Sequence, residues 1–201
     1  NKAVAQILCH IACLYYEAAE FFSAQATFED ALEIYREVFP KEADRDSCMA
    51  QLTEVLCNIG SIHNKRKNFS GAIECFKEAL DLQRGVMGHD HPRVIASLDN
   101  LGYSFSKARS YNQALMCYKE MLSAQLSHFG SFSTECCDTL KKQILLFEKM
   151  RNLDGAINAT KKAIDRASHD AHIQHSTVTD ELENMLTALN QKKRSPRMGQ
   201  F

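Results

Sequence analysis

The chain has 201 residues, with 24 basic and 25 acidic side chains and a formal net charge of −1. This balance excludes the strongly basic surface that holds a nucleic-acid backbone, and a hydrophobic content of 45% excludes a chain that is disordered throughout. Eight glycines and three prolines are too few for the frequent turns of a β-sandwich or β-barrel, so the composition predicts a soluble globular protein of another class.

Apolar residues recur at helical spacing along most of the chain, whereas strand-type alternation never lasts beyond about four residues. Pro92 follows Asp90 and His91, which is typical of a capped helix start with proline at its first position. The spacing predicts nine helices, at about 3–24, 27–39, 46–67, 70–84, 92–108, 111–127, 133–150, 153–168 and 175–190.

An internal repeat organises these helices. Four alanines begin short amphipathic segments at intervals of 41, 42 and 42 residues, namely Ala31, Ala72, Ala114 and Ala156. A residue twelve positions earlier is small in three of the four segments, in the order Ala19, Gly60, Gly102 and Ile144. Small residues let two helices approach closely, and a lone helical hairpin cannot bury its apolar side, so the pattern predicts stacked hairpins that form a solenoid.

The repeat resembles the tetratricopeptide repeat, a helix-turn-helix unit. Its 42-residue period and the strings Leu56-Cys57-Asn58-Ile59-Gly60 and Leu98-Asp99-Asn100-Leu101-Gly102 resemble the long-helix repeats of kinesin light chains. The resemblance implies an all-α, right-handed superhelical solenoid of about four hairpins plus a C-terminal capping helix. The expected repeats are 3–45, 46–90, 91–132 and 133–174, followed by a capping helix at 175–190 and a basic flexible tail at 191–201.

In this family the first helix of each hairpin lines a concave groove that binds protein segments. Lys65, Lys107 and Lys149 recur every 42 residues and are expected along one edge of that groove, where cations favour an acidic segment. Asn58, Asn100 and Lys142 form a second predicted set, because amides can hydrogen-bond an extended backbone. Tyr103 is a further candidate groove residue. The alternative interpretation is that lysines near helix C-termini merely complement the helix dipole.

The two ends of the chain differ in polarity. The first predicted helix is apolar nearly all round, so Ile7, Ile11, Tyr16 and Phe21 are predicted to meet further repeats or a partner. The last helix has one apolar stripe, as a capping helix requires. The basic run at 192–197 is compatible with a nuclear localisation signal or with a solvated tail.

The sequence lacks the motifs of known catalytic and phosphate-binding sites, so no enzyme activity, small-molecule substrate or cofactor is predicted. His169, His172 and His175 would spread over too wide an arc of a helix to bind one metal ion. The most apolar stretch is too short to cross a membrane. Eight cysteines without a CxxC pair favour free thiols and a cytoplasmic location.

These observations predict a non-catalytic scaffold or adaptor whose groove binds an extended or short helical, acidic segment of a partner protein. One alternative is a structural subunit or part of a larger solenoid that is buried permanently in a complex. Another is a regulatory segment of a larger enzyme. A clamp for chaperone C-termini is disfavoured, because the positions that need lysine, asparagine and arginine include Cys57, Ser61, Ala96 and Tyr103.

Overall fold

The computed structural model describes residues 1–38, 45–130, 132–168 and 177–194, and within these ranges it contains helices and no strands. The helices are α1 (Lys2–Glu17), α2 (Phe21–Val38), α3 (Arg45–Lys65), α4 (Phe69–Met87), α5 (Pro92–Lys107), α6 (Tyr111–Phe129), α7 (Thr134–Lys149), α8 (Leu153–Ser168) and α9 (Thr177–Arg194). The predicted all-α class is confirmed. We call α1, α3, α5 and α7 the first helices and α2, α4, α6 and α8 the second helices.

A three-residue turn joins each first helix to the second helix that follows. Its middle residue has a left-handed backbone with φ between 56° and 61°, and the four are Ala19, Lys67, Arg109 and Arg151. The next amide N–H closes the turn by donating to a carbonyl five residues earlier, as from Glu20 to Tyr15 at 2.9 Å. The predicted continuous helix at 3–24 is therefore wrong, because the chain turns at Ala19. The turn contains no glycine that would have indicated it in the sequence.

These turns correct the predicted alignment of the first repeat. The turn at Ala19 corresponds to the turn at Lys67, so the offset between the first two repeats is 48 residues rather than 41. Ala24 is then the counterpart of Ala72, and Ala12 rather than Ala19 is the counterpart of Gly60. The burial pattern agrees, since Ala12 and Ala24 are fully buried whereas Ala19 is exposed.

The small residue predicted at Gly60 makes room for an aromatic ring of the adjoining helix. A Cβ atom added to Gly60 would lie 2.9 Å from Cζ of Phe76 and 3.0 Å from each Cε of that ring. Phe76 is fully buried, so the ring fills the space that the missing side chain leaves. In the fourth repeat Ile144 replaces the glycine and Thr160 replaces the phenylalanine, so the large and the small residue have exchanged places.

Buried polar side chains join second helices to the first helices that follow them. Ser97 on α5 donates its hydroxyl hydrogen to Oε1 of Gln83 on α4 at 2.7 Å. Thr139 on α7 donates in the same way to Oε1 of Gln125 on α6 at 2.8 Å. In each pair the buried hydroxyl group and the buried amide oxygen bind each other, so the pair links two helices inside the core and neither of these two groups is left without a partner.

The chain divides into two compact units, Asn1–Ser110 and Tyr111–Phe201. The N-terminal unit has a core that includes Phe28, Tyr35, Leu56 and Ile62. The C-terminal unit has its own core, with α9 packed on α8 and α7. Helix α9 continues to Arg194, so the predicted end at 190 is too early and Lys192, Lys193 and Arg194 are helical.

Candidate partner-binding face

One side of each first helix is exposed at the same positions of the repeat. On α3 an exposed or half-buried side chain recurs every three or four residues, at Gln51, Glu54, Asn58, Ser61 and Lys65. The corresponding positions of α5 are also exposed or half-buried, and they are Arg93, Ala96, Asn100, Tyr103 and Lys107. This spacing marks one side of a helix, so each set forms a continuous row that we call the exposed stripe of its helix.

The corrected alignment extends the comparison to the other first helices. The exposed stripe of α1 contains Ala3, Gln6, His10, Cys13 and Glu17. The exposed stripe of α7, in the C-terminal unit, contains Glu135, Asp138, Lys142, Leu145 and Lys149. All seven predicted groove residues thus lie on the exposed stripes of α3, α5 and α7. The stripe of α1 was missed, because the predicted alignment of the first repeat was displaced.

A cavity of about 340 Å³ opens between α1 and α3 in the N-terminal unit. Its lining comes mostly from the two exposed stripes, with Tyr35 contributed by α2: Gln6, Cys9, His10, Cys13, Tyr35, Gln51, Glu54, Val55 and Asn58. Of the predicted groove residues, Asn58 is the one that lines this cavity. Its volume is at the small end of ligand pockets, which suits one or two side chains of a bound segment better than a whole cofactor.

Gln51, one of the residues that line this cavity, has an unused hydrogen-bond acceptor. Its Oε1 atom is buried and accepts no hydrogen bond within the part of the chain that the structure describes. A buried polar atom without a partner costs about 1–3 kcal/mol. A donor from a bound segment, such as a backbone N–H, would remove that cost if the Gln51 side chain turned its Oε1 atom toward the cavity.

The three predicted lysines occupy equivalent places, since Lys65, Lys107 and Lys149 are each the last residue of a first helix and are exposed. Aromatic rings accompany two of them. Nζ of Lys107 lies 5.1 Å from the ring centroid of Tyr103, and Nζ of Lys149 lies 5.7 Å from that of Tyr111. These cation–π contacts leave the ammonium groups at the surface, where they can meet a negatively charged ligand.

Lys142 and Asn100 are less exposed than the three lysines at the helix ends. Nζ of Lys142 lies 5.8 Å from the ring centroid of Tyr118 within the C-terminal unit. Asn100 is half-buried, and its carbonyl oxygen accepts a hydrogen bond from Ser104 at 2.8 Å. The Ser104 hydroxyl oxygen in turn accepts a hydrogen bond from Nδ2 of Asn64 at 2.9 Å, which links α5 to α3.

Charge is unevenly distributed over the three exposed stripes of the N-terminal unit. The carboxylates, Glu17 and Glu54, lie on α1 and on the first half of α3. The cations, Lys65, Arg93 and Lys107, lie at the end of α3 and on α5. The predicted lysine row therefore has no counterpart on α1, where Glu17 stands at that position.

Two thiols beside the cavity are poor nucleophiles. Burial raises the pKa of Cys9 to about 11, and the neighbouring Cys13 thiol contributes further. The pKa of Cys13 is also raised, first by burial and then by the charge of Glu54. Because the thiolate is the reactive form, neither group is activated for covalent chemistry at neutral pH.

The four residues predicted at the N-terminal edge divide into two pairs. Ile7 and Ile11 are 58% and 39% exposed, so they remain available for contact. Tyr16 and Phe21 are half-buried and pack edge to face with ring centroids 5.6 Å apart, against the core of the N-terminal unit. The second pair therefore closes the turn between α1 and α2 and does not form an open edge.

Within the described ranges, no three histidine, cysteine, aspartate or glutamate side chains are arranged to hold a metal ion. His169, His172 and His175 lie outside those ranges. No helix in the described part of the chain is both long enough and apolar enough to span a bilayer.

Two sequence profiles of the tetratricopeptide repeat match, one over residues 51–127 and one over residues 4–44, and together they cover more than half of the chain. Among curated proteins, none matches this sequence.

Solved structures share the fold at low sequence identity. The TPR-like repeats of a Podosopora anserina protein described as a kinesin light chain align with a TM-score of 0.67 and 11% identity over 94% of this chain and 87% of theirs. BtubC (BKLC) from P. vanneervenii aligns with a TM-score of 0.65 and 15% identity over 100% of this chain and 86% of its own. The apo form of RapI aligns with a TM-score of 0.66 and 16% identity over 96% of this chain and 71% of its own.

The matched ranges cover all or most of each helix from α1 to α6, and the turns and exposed stripes of these helices recur at the repeat positions described above. The structural alignments extend the agreement over nearly the whole chain and show an all-α solenoid fold. Proteins of this fold serve in general as protein-interaction scaffolds. The chain is a tetratricopeptide-repeat protein that resembles kinesin light chains.

Proposed function

We propose that this protein is a non-catalytic scaffold or adaptor that binds an acidic segment of a partner protein, extended or in a short helix, on the exposed stripes of its first helices. The observation that carries the proposal is the recurrence of amide and cationic side chains at the same stripe positions of α3 and α5. Asn58 and Asn100 form one such row, and Lys65 and Lys107 form another.

The amide row is suited to the backbone of a bound segment. An asparagine side chain both donates and accepts, so it can pair with a peptide group without demanding a particular sequence. Asn58 and Gln51 line one cavity, and the buried Oε1 atom of Gln51 lacks a donor among the described residues. An extended segment crossing α3 would supply backbone N–H groups there, which Oε1 of Gln51 would meet after a rotation of its side chain.

The cations favour one placement of the acidic residues along the bound segment. Lys65, Arg93 and Lys107 favour acidic side chains over α5 and over the end of α3, whereas Glu17 and Glu54 disfavour them near α1. The acidic residues of the partner are therefore proposed to lie at the α5 end, and the part that enters the α1–α3 cavity is proposed to be neutral.

A charge-reversal experiment tests the proposal. Baits carrying Lys65→Glu and Lys107→Glu would be compared with wild type in capture from a cell lysate, followed by affinity measurement for each captured protein. Exposed charge pairs are worth about 0.2–1 kcal/mol each, so the loss of two should weaken binding about twofold to thirtyfold. Lys149→Glu tests the corresponding position of the C-terminal unit.

The matched control reverses two exposed lysines of second helices, Lys119→Glu and Lys161→Glu, which alters net charge equally but spares the exposed stripes. The difference between the two double variants should shrink as salt rises past about 0.15 M, where the screening length is about 8 Å. Identical captured proteins and affinities for both double variants would contradict the proposal.

Asparagine substitution separates the two rows. Asn58→Ala and Asn100→Ala should weaken binding without altering its salt dependence, because a neutral amide carries no charge to be screened. If the salt dependence falls along with affinity, the amides act by positioning the lysines rather than by bonding the segment.

The same proposal places the protein in the cytoplasm, which suits its eight free thiols. Entry into the nucleus through the run at 192–197 is tested by imaging a fluorescent fusion with and without that run. In α9, Lys192 already forms an ion pair of 2.8 Å with Glu148, and Lys193 pairs with Asp154. A receptor for the run would have to compete with these pairs.

A further inference from the structure

Helix α1 presents a row of uncovered apolar side chains to one side of the molecule. Val4 is 46% exposed, Ile7 58%, Ile11 39% and Leu14 66%, and Tyr15 beside them is 37% exposed. The first four are spaced 3, 4 and 3 residues apart, which is the spacing of the apolar seam between two packed helices.

The same positions are covered in the later first helices. Ile11 corresponds to Ile59 of α3 and Leu101 of α5, which are 3% and 4% exposed. The counterparts of Val4, Ile7 and Leu14 are equally buried, at 4% or less, and they are Leu52, Val55, Ile62, Val94, Ser97 and Ser104. In α3 and α5 the preceding second helices, α2 and α4, pack onto these helices. The row on α1 is thus a helix-docking surface.

We propose that a second copy of this chain covers the row, with the two α1 helices packed antiparallel about a two-fold axis. In that arrangement Val4 of one copy meets Leu14 of the other, and Ile7 meets Ile11. The row is self-complementary because its spacing reads the same in both directions. An isologous contact of this kind closes on itself and gives a dimer rather than a filament.

Charge complementarity supports the antiparallel direction. Helix α1 has no acidic residue in its first turn and no basic residue in its last turn, so neither end of its dipole is compensated by its own side chains. Antiparallel pairing brings Glu17 of each copy close to the positive N-terminal end of the other α1, where Lys2 also lies. Parallel pairing would place Glu17 beside Glu17.

The other end of the chain offers no matching surface. Within the described residues, α9 has no exposed large apolar side chain, so head-to-tail stacking of copies would leave the row on α1 without an apolar partner. The exposed parts of the five side chains, taken from both copies, would bury on the order of 1,000 Å², which is the lower end of specific interfaces. A weak, reversible dimer is therefore expected.

Sedimentation velocity of the whole chain from 1 to 500 μM tests the proposal. Wild type should pass from monomer to dimer within this range. Ile7→Glu combined with Ile11→Glu should raise the dissociation constant at least tenfold, with an unchanged circular dichroism spectrum that shows the helices to be intact. Because both side chains are exposed, their replacement leaves the core in place.

The matched control is Val86→Glu, which changes an apolar residue of similar exposure, 45%, on the second helix α4. This variant should dimerise like wild type. Glu17→Lys should weaken the dimer severalfold, because it places a cation instead of a carboxylate beside the positive N-terminal end of the partner's α1. A wild-type chain that is monomeric at 500 μM, or a dimer that survives the double Ile→Glu variant, would overturn the proposal.

Discussion

The contact between Gly60 and Phe76 allows a sharp test of how the repeat is packed. Gly60→Ala adds one methyl group, whose carbon would lie 2.9–3.0 Å from three atoms of the Phe76 ring. The ring is fully buried and cannot move into solvent. Overpacking of this kind costs about 1–3 kcal/mol, whereas the exchange of glycine for alanine inside a helix gains about 1 kcal/mol. The net change should be a loss of up to about 2 kcal/mol in the free energy of unfolding.

Gly85 provides the matched control in the neighbouring helix α4. A Cβ atom added there meets nothing within 4 Å, and the residue is exposed. Gly85→Ala should therefore show the helix-propensity gain alone, a stabilisation of up to about 1 kcal/mol. The difference between the two alanine variants isolates the packing cost at Gly60.

The assay is urea unfolding, monitored by circular dichroism at 222 nm. The dependence of the unfolding free energy on urea concentration should be the same for all variants, which shows that each exposes the same surface on unfolding. A third variant, Gly60→Ala with Phe76→Leu, should recover part of the loss, because the smaller side chain makes room for the methyl group. If Gly60→Ala is as stabilising as Gly85→Ala, Phe76 does not fill the space at Gly60 and the packing described for this repeat is refuted.

Two further predictions concern a buried hydrogen bond and three thiols that are partly or fully removed from solvent. Ser97→Ala should lower the free energy of unfolding by about 1–3 kcal/mol, because Oε1 of Gln83 is left without its donor. Adding Gln83→Leu to this variant should recover part of the loss. If urea unfolding gives wild type and Ser97→Ala the same stability, the buried pair is contradicted. Burial raises the pKa of Cys9 and Cys75 to about 11 and that of Cys137 to about 12, so these thiols should be alkylated by iodoacetamide at pH 8 at least tenfold more slowly than in the unfolded chain, as measured by peptide mass spectrometry. Since their folded pKa values lie above the unfolded value of about 8.5, the stability that they contribute is complete below that pH and should be lost as the pH rises toward 11. Labelling as fast in the native chain as in urea would contradict this account.

The sequence by itself determined the class of fold and the positions that recur. Helical spacing and a 42-residue period predicted hairpins over the second, third and fourth repeats, and they placed Asn58, Asn100, Lys65 and Lys107 at equivalent positions. These features are local or periodic, so they can be recognised without knowing which helices touch. The small residue at Gly60 likewise indicated a close helix contact before any partner was known.

The alignment of the first repeat was decided only by the structure. Two alanines, Ala24 and Ala31, lie seven residues apart on one side of α2, and both suit a helix contact, so the sequence pattern fits either of them. The turn at Ala19 resolves the choice, but alanine in a left-handed conformation gives no sequence signal of the kind that glycine gives. As a result the exposed stripe of α1, with Glu17 at its end, could be recognised only from the tertiary structure.

Burial was also decided by tertiary structure. Ile11 and Ile59 occupy the same position of the repeat and have the same side chain, yet the first is 39% exposed and the second is 3% exposed. An apolar pattern records which side of a helix needs a neighbour, but not whether that neighbour is present. The buried Oε1 atom of Gln51, which has no partner among the described residues, has the same origin, because glutamine is ordinary on an exposed helix and becomes a candidate binding group only when packing removes water from it.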